Sequence, residues 1–118
     1  MWEVKYTDQF EAWWHTLPEQ EQEALTAAVP ALEDRGPALG RPFVAVIQAS
    51  PHANRKELRH RGGHIRVIFA FDPRRTAILL IGGDKTGQWE SWFEEIIPIA
   101  DALYDEHLAA IKEEGTRE

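Results

Sequence analysis

The chain has 118 residues, 43% of them hydrophobic, which predicts one globular domain over residues 1–118 and excludes wholesale disorder. It contains no cysteine, which excludes disulfide scaffolds, thiolate zinc sites and cysteine nucleophiles. The 20 acidic and 13 basic residues give a net charge of −7, which taken alone argues against a nucleic-acid binder.

The N-terminal third predicts one strand and two helices. Residues 2–6 alternate apolar and polar side chains, as a half-buried strand does. Thr7 is placed to cap a helix whose apolar residues recur at i, i+3, i+4 and i+7. Pro18 begins a second helix that runs to about Arg35, and Pro30 predicts a kink within it. The two helices together predict a helical hairpin.

The C-terminal two thirds predict a three-stranded meander followed by a long helix. The strands are expected at 55–60, 65–72 and 76–81, with glycine or proline turn signals between them. In the turn after the second strand, Asp72 is expected to bond the local backbone. Almost every residue of the third strand is apolar, which predicts a buried place in the sheet. Apolar residues at helical spacing from Trp89 onward indicate a C-terminal helix, which Pro98 kinks or splits.

The element order β-α-α-β-β-β-α predicts an α+β domain. Its small, antiparallel-rich sheet consists of the C-terminal meander plus the N-terminal strand, packed by the helical hairpin and the C-terminal helix. Residues 43–53 receive no element, and residues 115–118 are expected to fray. Because the chain has neither a membrane-length apolar run nor the apolar region of a signal peptide near residue 1, we expect a cytoplasmic protein without membrane contact.

The basic residues are concentrated in one part of the chain. Residues 52–75 hold seven Lys or Arg and two acids, a net charge of +5, while the rest of the chain carries −12. The same window contains His52, His60 and His64. A basic stripe on an acidic body predicts a local anion site, such as one for a nucleic-acid backbone.

Strand alternation indicates which of these basic side chains share a surface. Arg55, Glu57 and Arg59 share one side of their strand, so if Leu58 faces the core, Arg55 and Arg59 lie on the open face of the sheet. Arg66 is a candidate neighbour on the next strand, where it shares its side with the apolar Ile68 and Ala70. The expected result is a shallow, guanidinium-lined surface suited to phosphate, because guanidinium groups bind phosphate bidentately and keep their charge. The alternative is a solvated sheet face that acidic helices balance, and the sequence leaves both interpretations open.

Further residues in and near this window are candidates for chemistry. His60 and His64 flank the turn between two strands and form a candidate acid–base pair, although exposed turn histidines without a function are common. The window's histidines lack tight ligand spacing and a nearby carboxylate pair, so we expect no metal and no cofactor. Residues 82–85 do not fit a phosphate-binding loop, but Lys85 is placed to point toward the same surface.

Four segments, in order and spacing, carry a family resemblance: 36–42, 56–59, 65–72 and 77–85. Over about residues 2–112 the chain resembles the RelE/ParE toxin superfamily. The resemblance is closest to the branch that holds phage-derived proteins and HigB-like host-inhibition toxins.

The resemblance implies the toxin of a type II toxin–antitoxin system, which inhibits translation by cleaving mRNA on the ribosome without a metal. The expected partners are the ribosome, the mRNA and a cognate antitoxin, often a helix-turn-helix protein. In that chemistry a 2′-hydroxyl attacks the adjacent phosphate, basic side chains stabilise the charge, and an acid protonates the leaving oxygen. The alternatives are a ParE-like gyrase inhibitor and an inactive, solitary relative that binds protein through its acidic helices.

By motif match, Arg66 takes the place of the family's sheet arginine, Arg59 the basic position after the leucine, and Lys85 the basic residue after the last strand. The family's catalytic tyrosine and its Asp-Tyr-His group have no match after Lys85, so His60 or His64 is the expected acid or base. The resulting expected catalytic set is Arg66, Arg59, Lys85, His64 and His60. The expected RNA- and phosphate-binding set is Arg55, Lys56, Arg61, Arg74 and Arg75.

Overall fold

The computed structural model describes residues 1–40, 43–46, 56–59, 64–84 and 89–117. The elements within these ranges are β1 (Glu3–Tyr6), α1 (Asp8–Trp14), α2 (Glu19–Thr26), α3 (Val29–Arg35), a 3-10 turn (Gly36–Ala38), β2 (Val44–Val46), β3 (Lys56–Arg59), β4 (Ile65–Phe71), β5 (Thr76–Asp84) and α4 (Trp89–Arg117). None of the helices in these ranges has the length and apolar character that a membrane crossing requires.

The strands form one five-stranded sheet in the order β1-β5-β4-β3-β2. Strand β1 runs parallel to β5, and every other neighbouring pair is antiparallel. The predicted α+β class and the β3-β4-β5 meander are therefore confirmed, with the N-terminal strand beside β5. Strand β2 lies in the stretch to which the sequence assigned no element, and its three residues pair with β3.

Thr7 caps α1 as predicted, and its hydroxyl also anchors the helix to the sheet. Its Oγ1 accepts a hydrogen bond from the backbone N–H of Phe10 at 3.0 Å and donates one to the carbonyl of Leu80 at 2.6 Å. A cap of this kind contributes about 1 kcal/mol to helix stability. The helix ends at Trp14, earlier than the apolar spacing predicted, where the N–H of Leu17 bonds to the Trp14 carbonyl in a tight turn.

The two helical prolines have different effects. The predicted kink at Pro30 is a complete break, because α2 ends at Thr26 and α3 begins at Val29. Pro30 lies in the first turn of α3, where its missing N–H costs no helical hydrogen bond. Pro98 lies inside α4, which continues through it, so of the two predicted effects, a kink or a split, the split is wrong.

Both faces of the sheet are covered by helices. On one face the N-terminal helices pack against Leu58, Val67 and Phe69. On the other face, α4 packs against Ile68 and Ala70, both of which are completely buried. The expectation of an open face along β4 is therefore wrong. The sequence already indicated that this face is covered, because Ile68 and Ala70 are apolar and lie on the face that was expected to be open.

The Gly-Gly pair after the apolar strand is part of the sheet. Strand β5 continues through Gly82 and Gly83 to Asp84. The prediction that the strand ends at residue 81, before the two glycines, is therefore wrong. The ring of Trp13 lies against the backbone of Gly82, where an added Cβ would come within 2.3 Å of the ring. Glycine at this position allows α1 to approach β5 closely.

Candidate functional site

The pairing of β3 with β4 brings the two principal predicted residues together. Arg59 and Arg66 are opposite each other in the antiparallel register. Directly opposed side chains on one face of a sheet have Cβ atoms about 5 Å apart. Arg59 is half-buried, whereas Arg66 is only 8% exposed. The structure therefore confirms that the two arginines are neighbours, but Arg66 does not lie on an open surface.

Glu57 is the third member of this cluster, and it was not among the predicted site residues. Its Oε1 lies 2.7 Å from Nε of Arg66, and the residue is 6% exposed. Nη1 of Arg66 also donates a hydrogen bond to the carbonyl of Ile65 at 2.9 Å. The ion pair and the hydrogen bond together hold the guanidinium at two points. Strand alternation already placed Glu57 on the same side as Arg59, which was the available signal for its role.

The electrostatic environment of Arg66 combines opposing effects. Burial lowers the pKa of Arg66 from its ordinary value, and the carboxylate of Glu57 acts in the opposite direction. The positive charge of Arg59 lowers the Arg66 pKa further, while Asp84 raises it. An arginine keeps its charge under such conditions. The cluster is consequently two adjacent cations with one close carboxylate, an arrangement that can bind a phosphate and hold a proton acceptor beside it.

Lys56 lies on the opposite face of the sheet from Arg59 and Arg66. Its Nζ is 5.3 Å from the ring centroid of Phe71 and donates a hydrogen bond to the carbonyl of Pro37 at 3.1 Å. Burial lowers the pKa of Lys56. The structure therefore does not bring Lys56 to the arginine pair, and its binding of RNA stays a prediction.

Arg74 and Arg75 lie in the turn at the other end of β4, roughly 20 Å from Arg66 at the usual rise per strand residue. Nη1 of Arg74 is 2.7 Å from a carboxylate oxygen of Glu114. The guanidinium carbon of Arg75 lies 4.6 Å from the ring centroid of Trp2, a cation–π contact. Both arginines therefore make local contacts away from the arginine pair, and their binding of RNA also stays a prediction.

Of the two candidate histidines, only His64 lies within the described residues. It is exposed and immediately precedes β4, at the sheet end where Arg66 lies. Five predicted residues lie outside the described residues, namely Arg55, His60, Arg61 and Lys85 from the site and His52 from the basic window. Across the described part of the chain, no three His, Asp or Glu residues come together as a metal site would require.

A second buried carboxylate lies at the far end of β4. Oδ1 of Asp72 accepts hydrogen bonds from the backbone N–H groups of Arg74 at 2.8 Å and Thr76 at 3.1 Å. Its Oδ2 lies 2.8 Å from Nε2 of His107 on α4. The predicted role of Asp72 in binding the local backbone of the turn is thus confirmed. The contact to His107 additionally ties the turn to α4, and the sequence held no signal for that.

Comparison with known proteins identifies the family to which this chain belongs. The family model described as phage-derived protein Gp49-like matches residues 12–105. HigB3 of Mycobacterium tuberculosis, described as a toxin, is 47% identical over 102 residues, which cover 86% of this chain and 90% of that protein. HigB2 of the same organism, also described as a toxin, is 41% identical over 109 residues, which cover 90% of this chain but only 54% of that longer protein.

The fold is also found among solved structures. The archaeal RelE–RelB complex from Pyrococcus horikoshii matches with a TM-score of 0.56 and 19% sequence identity, over 73% of this chain and 97% of that one. At this identity the match bears on the fold. Together with the sequence relatives, it confirms the resemblance that the motifs indicated.

Proposed function

Because the chain belongs to the phage-derived Gp49-like family and has HigB toxins among its relatives, we propose that it is the toxin of a type II toxin–antitoxin system and that it cleaves mRNA. The observation that carries the proposal is the pair of adjacent arginines, with Arg66 held by the buried carboxylate of Glu57. Fixed cations of this kind stabilise a phosphate that gains charge during a reaction.

The proposed reaction needs no metal. The 2′-hydroxyl oxygen forms a bond to the adjacent phosphorus, and the bond from phosphorus to the 5′-oxygen breaks, leaving a 2′,3′-cyclic phosphate and a 5′-hydroxyl. Arg59 and Arg66 stabilise the extra negative charge on the phosphate oxygens. Glu57 is the carboxylate next to them, and we assign it the proton from the 2′-hydroxyl. His64, which lies at this end of the sheet, or His60 donates a proton to the leaving oxygen.

The partners follow from the same proposal. A structural neighbour of this chain, RelBE2 of Mycobacterium tuberculosis, was solved as a toxin–antitoxin complex. We propose that a cognate antitoxin, of the helix-turn-helix type, silences this chain. The ribosome presents the mRNA, as the resemblance implies. The net charge of −7 limits RNA contact to the end of the sheet where Arg59 and Arg66 lie, since the acidic rest of the surface repels a polyanion.

The test is to induce the protein in bacteria and map the 5′ ends of the mRNA. Arg66→Lys keeps a cation beside Glu57 but removes the planar fork, so we expect cleavage to fall about 10²–10³-fold. The matched control is Arg35→Lys, the same exchange at an exposed position in the last turn of α3, which should leave cleavage unchanged. Circular dichroism checks that both variants fold. Full cleavage by a folded Arg66→Lys variant would reject the site.

The burial of Arg66 favours a second candidate function, a ParE-like gyrase inhibitor that needs no nuclease group. The same induction experiment distinguishes the two functions. Cuts confined to translated codons support the nuclease. An SOS response with intact mRNA supports gyrase inhibition, and normal growth supports an inactive relative that only binds protein.

A further inference from the structure

An apolar groove of about 400 Å³ opens on the sheet face that carries the N-terminal helices. Its floor is formed by Leu58, Val67 and Leu79 from three adjacent strands, all of them buried. Phe10 and Trp14 of α1 form part of its walls. A volume of this size is typical of a binding pocket. The groove therefore offers a set of apolar side chains that reaches into the core.

The groove lies in the most acidic part of the chain. Residues 7–34 contain seven Asp or Glu and no Lys or Arg. Two of these acids, Glu11 and Glu33, line the groove itself. Tyr6 also lines it and is 57% exposed, although large hydrophobic side chains are usually more buried. His15 lies beside Glu11, with its Nε2 3.7 Å from Oε1, so the opening combines an apolar interior with a rim that holds two carboxylates and an imidazole.

We propose that this groove is the docking site for an amphipathic helix of a partner protein, with Lys or Arg flanking the apolar face of that helix. Apolar side chains at i, i+3, i+4 and i+7 enter a hydrophobic groove in this mode of recognition. Basic flanks complement Glu11 and Glu33 and speed the encounter. A second copy of this chain would bring an equally acidic N-terminal layer to the groove and is repelled, as is RNA.

The bound helix does not cover the arginine cluster. Leu58 and Val67 in the groove floor point to one face of the sheet, while Glu57 and Arg66 point to the other. The docking site is thus independent of the proposed RNA cleavage. A failure of one does not imply a failure of the other, because they use opposite faces and different chemistry.

The test uses two synthetic helical peptides with the same leucine spacing, one with lysine and the other with glutamate at the polar positions. Isothermal titration calorimetry measures their binding to the full chain. We expect the lysine peptide to bind at least about tenfold more tightly, and its affinity to fall as salt is added. Equal affinities, or preference for the glutamate peptide, would overturn the proposal.

Charge variants of the chain sharpen the test. Glu11→Gln with Glu33→Gln removes the acids that line the groove, and we expect roughly tenfold weaker binding of the lysine peptide. The matched control is Glu19→Gln with Glu23→Gln, which removes two exposed acids of α2 outside the groove and should change affinity less than about twofold. An equal loss in both double variants would contradict docking at the groove.

Filling the groove with a larger side chain tests the proposal without changing any charge. Thr26 is exposed and lines the groove, so Thr26→Trp should occupy it and abolish binding of the lysine peptide while the thermal transition is retained. Sedimentation of the unliganded chain tests self-association. A dimer of the native chain that Thr26→Trp dissociates would make a second copy the occupant and overturn the proposal.

Discussion

The two ends of strand β4 carry similar charged residues but use them differently. At one end, Glu57 and Arg66 form a buried ion pair with Arg59 directly opposite. At the other end, the buried carboxylate of Asp72 is bound by two backbone N–H groups and by His107. The first arrangement keeps two cations together and the second closes a turn. A count of basic residues along the chain treats both ends alike, whereas their burial and partners separate them.

The largest expected effect follows from removing one partner of the Glu57–Arg66 pair. Glu57→Ala leaves an uncompensated buried cation, and Arg66→Ala leaves an uncompensated buried anion. We expect either change to lower the free energy of unfolding by about 3–5 kcal/mol, measured by urea denaturation.

The double variant Glu57→Met with Arg66→Met provides the control for that experiment. It removes both charges and fills much of their volume with apolar atoms. It should be less destabilised than either alanine variant, because no buried charge is left without a partner. A double variant as unstable as the sum of the single ones would show that the two side chains do not interact.

A smaller effect is expected at the far end of β4. Asp72→Ala leaves the N–H groups of Arg74 and Thr76 without their acceptor and should cost roughly 2–3 kcal/mol of folding free energy. Cleavage of RNA per folded molecule should stay unchanged, because the turn is remote from Arg66. A stable Asp72→Ala protein that no longer cleaves would assign this end a part in the reaction.

The smallest effect concerns the surface pair of Arg74 and Glu114. The hydrogen bond and charge of Arg74 lower the pKa of Glu114 from its ordinary value of 4.5. A carboxyl group with a lowered folded-state pKa adds stability above the ordinary pKa and loses it as the pH falls through the folded value. The difference in melting temperature between the native chain and Arg74→Gln should therefore be small at neutral pH and vanish in acid. A difference that persists in acid would contradict the role of the pair.

Local patterns predicted much of the fold. Alternation located β4 and assigned its two faces correctly, since Val67 and Ile68 pack in different cores. Thr7 and Pro30 marked a helix start and a break, because a cap hydroxyl and a missing N–H act within one helical turn. The neighbouring positions of Arg59 and Arg66 also followed from a short connection between paired strands.

Contacts between distant segments could not be predicted in the same way. Alternation placed Glu57 beside Arg59 but could not show that its carboxylate reaches Arg66, which depends on strand register and on burial. Whether the sheet face that carries Ile68 and Ala70 is buried depends on where α4 returns to the sheet. The pairing of His107 with Asp72 joins residues 35 positions apart, and no local spacing encodes it.

The parallel pairing of β1 with β5 affects how the protein is made. The hydroxyl of Thr7 bonds to a carbonyl 73 residues further along the chain. During translation, β1 therefore leaves the ribosome long before its partner strand exists, and closure of so distant a contact is slow. The nascent chain can therefore pair β1 only after residues 76–79 have been synthesised, so the edge of the sheet that β1 forms closes late.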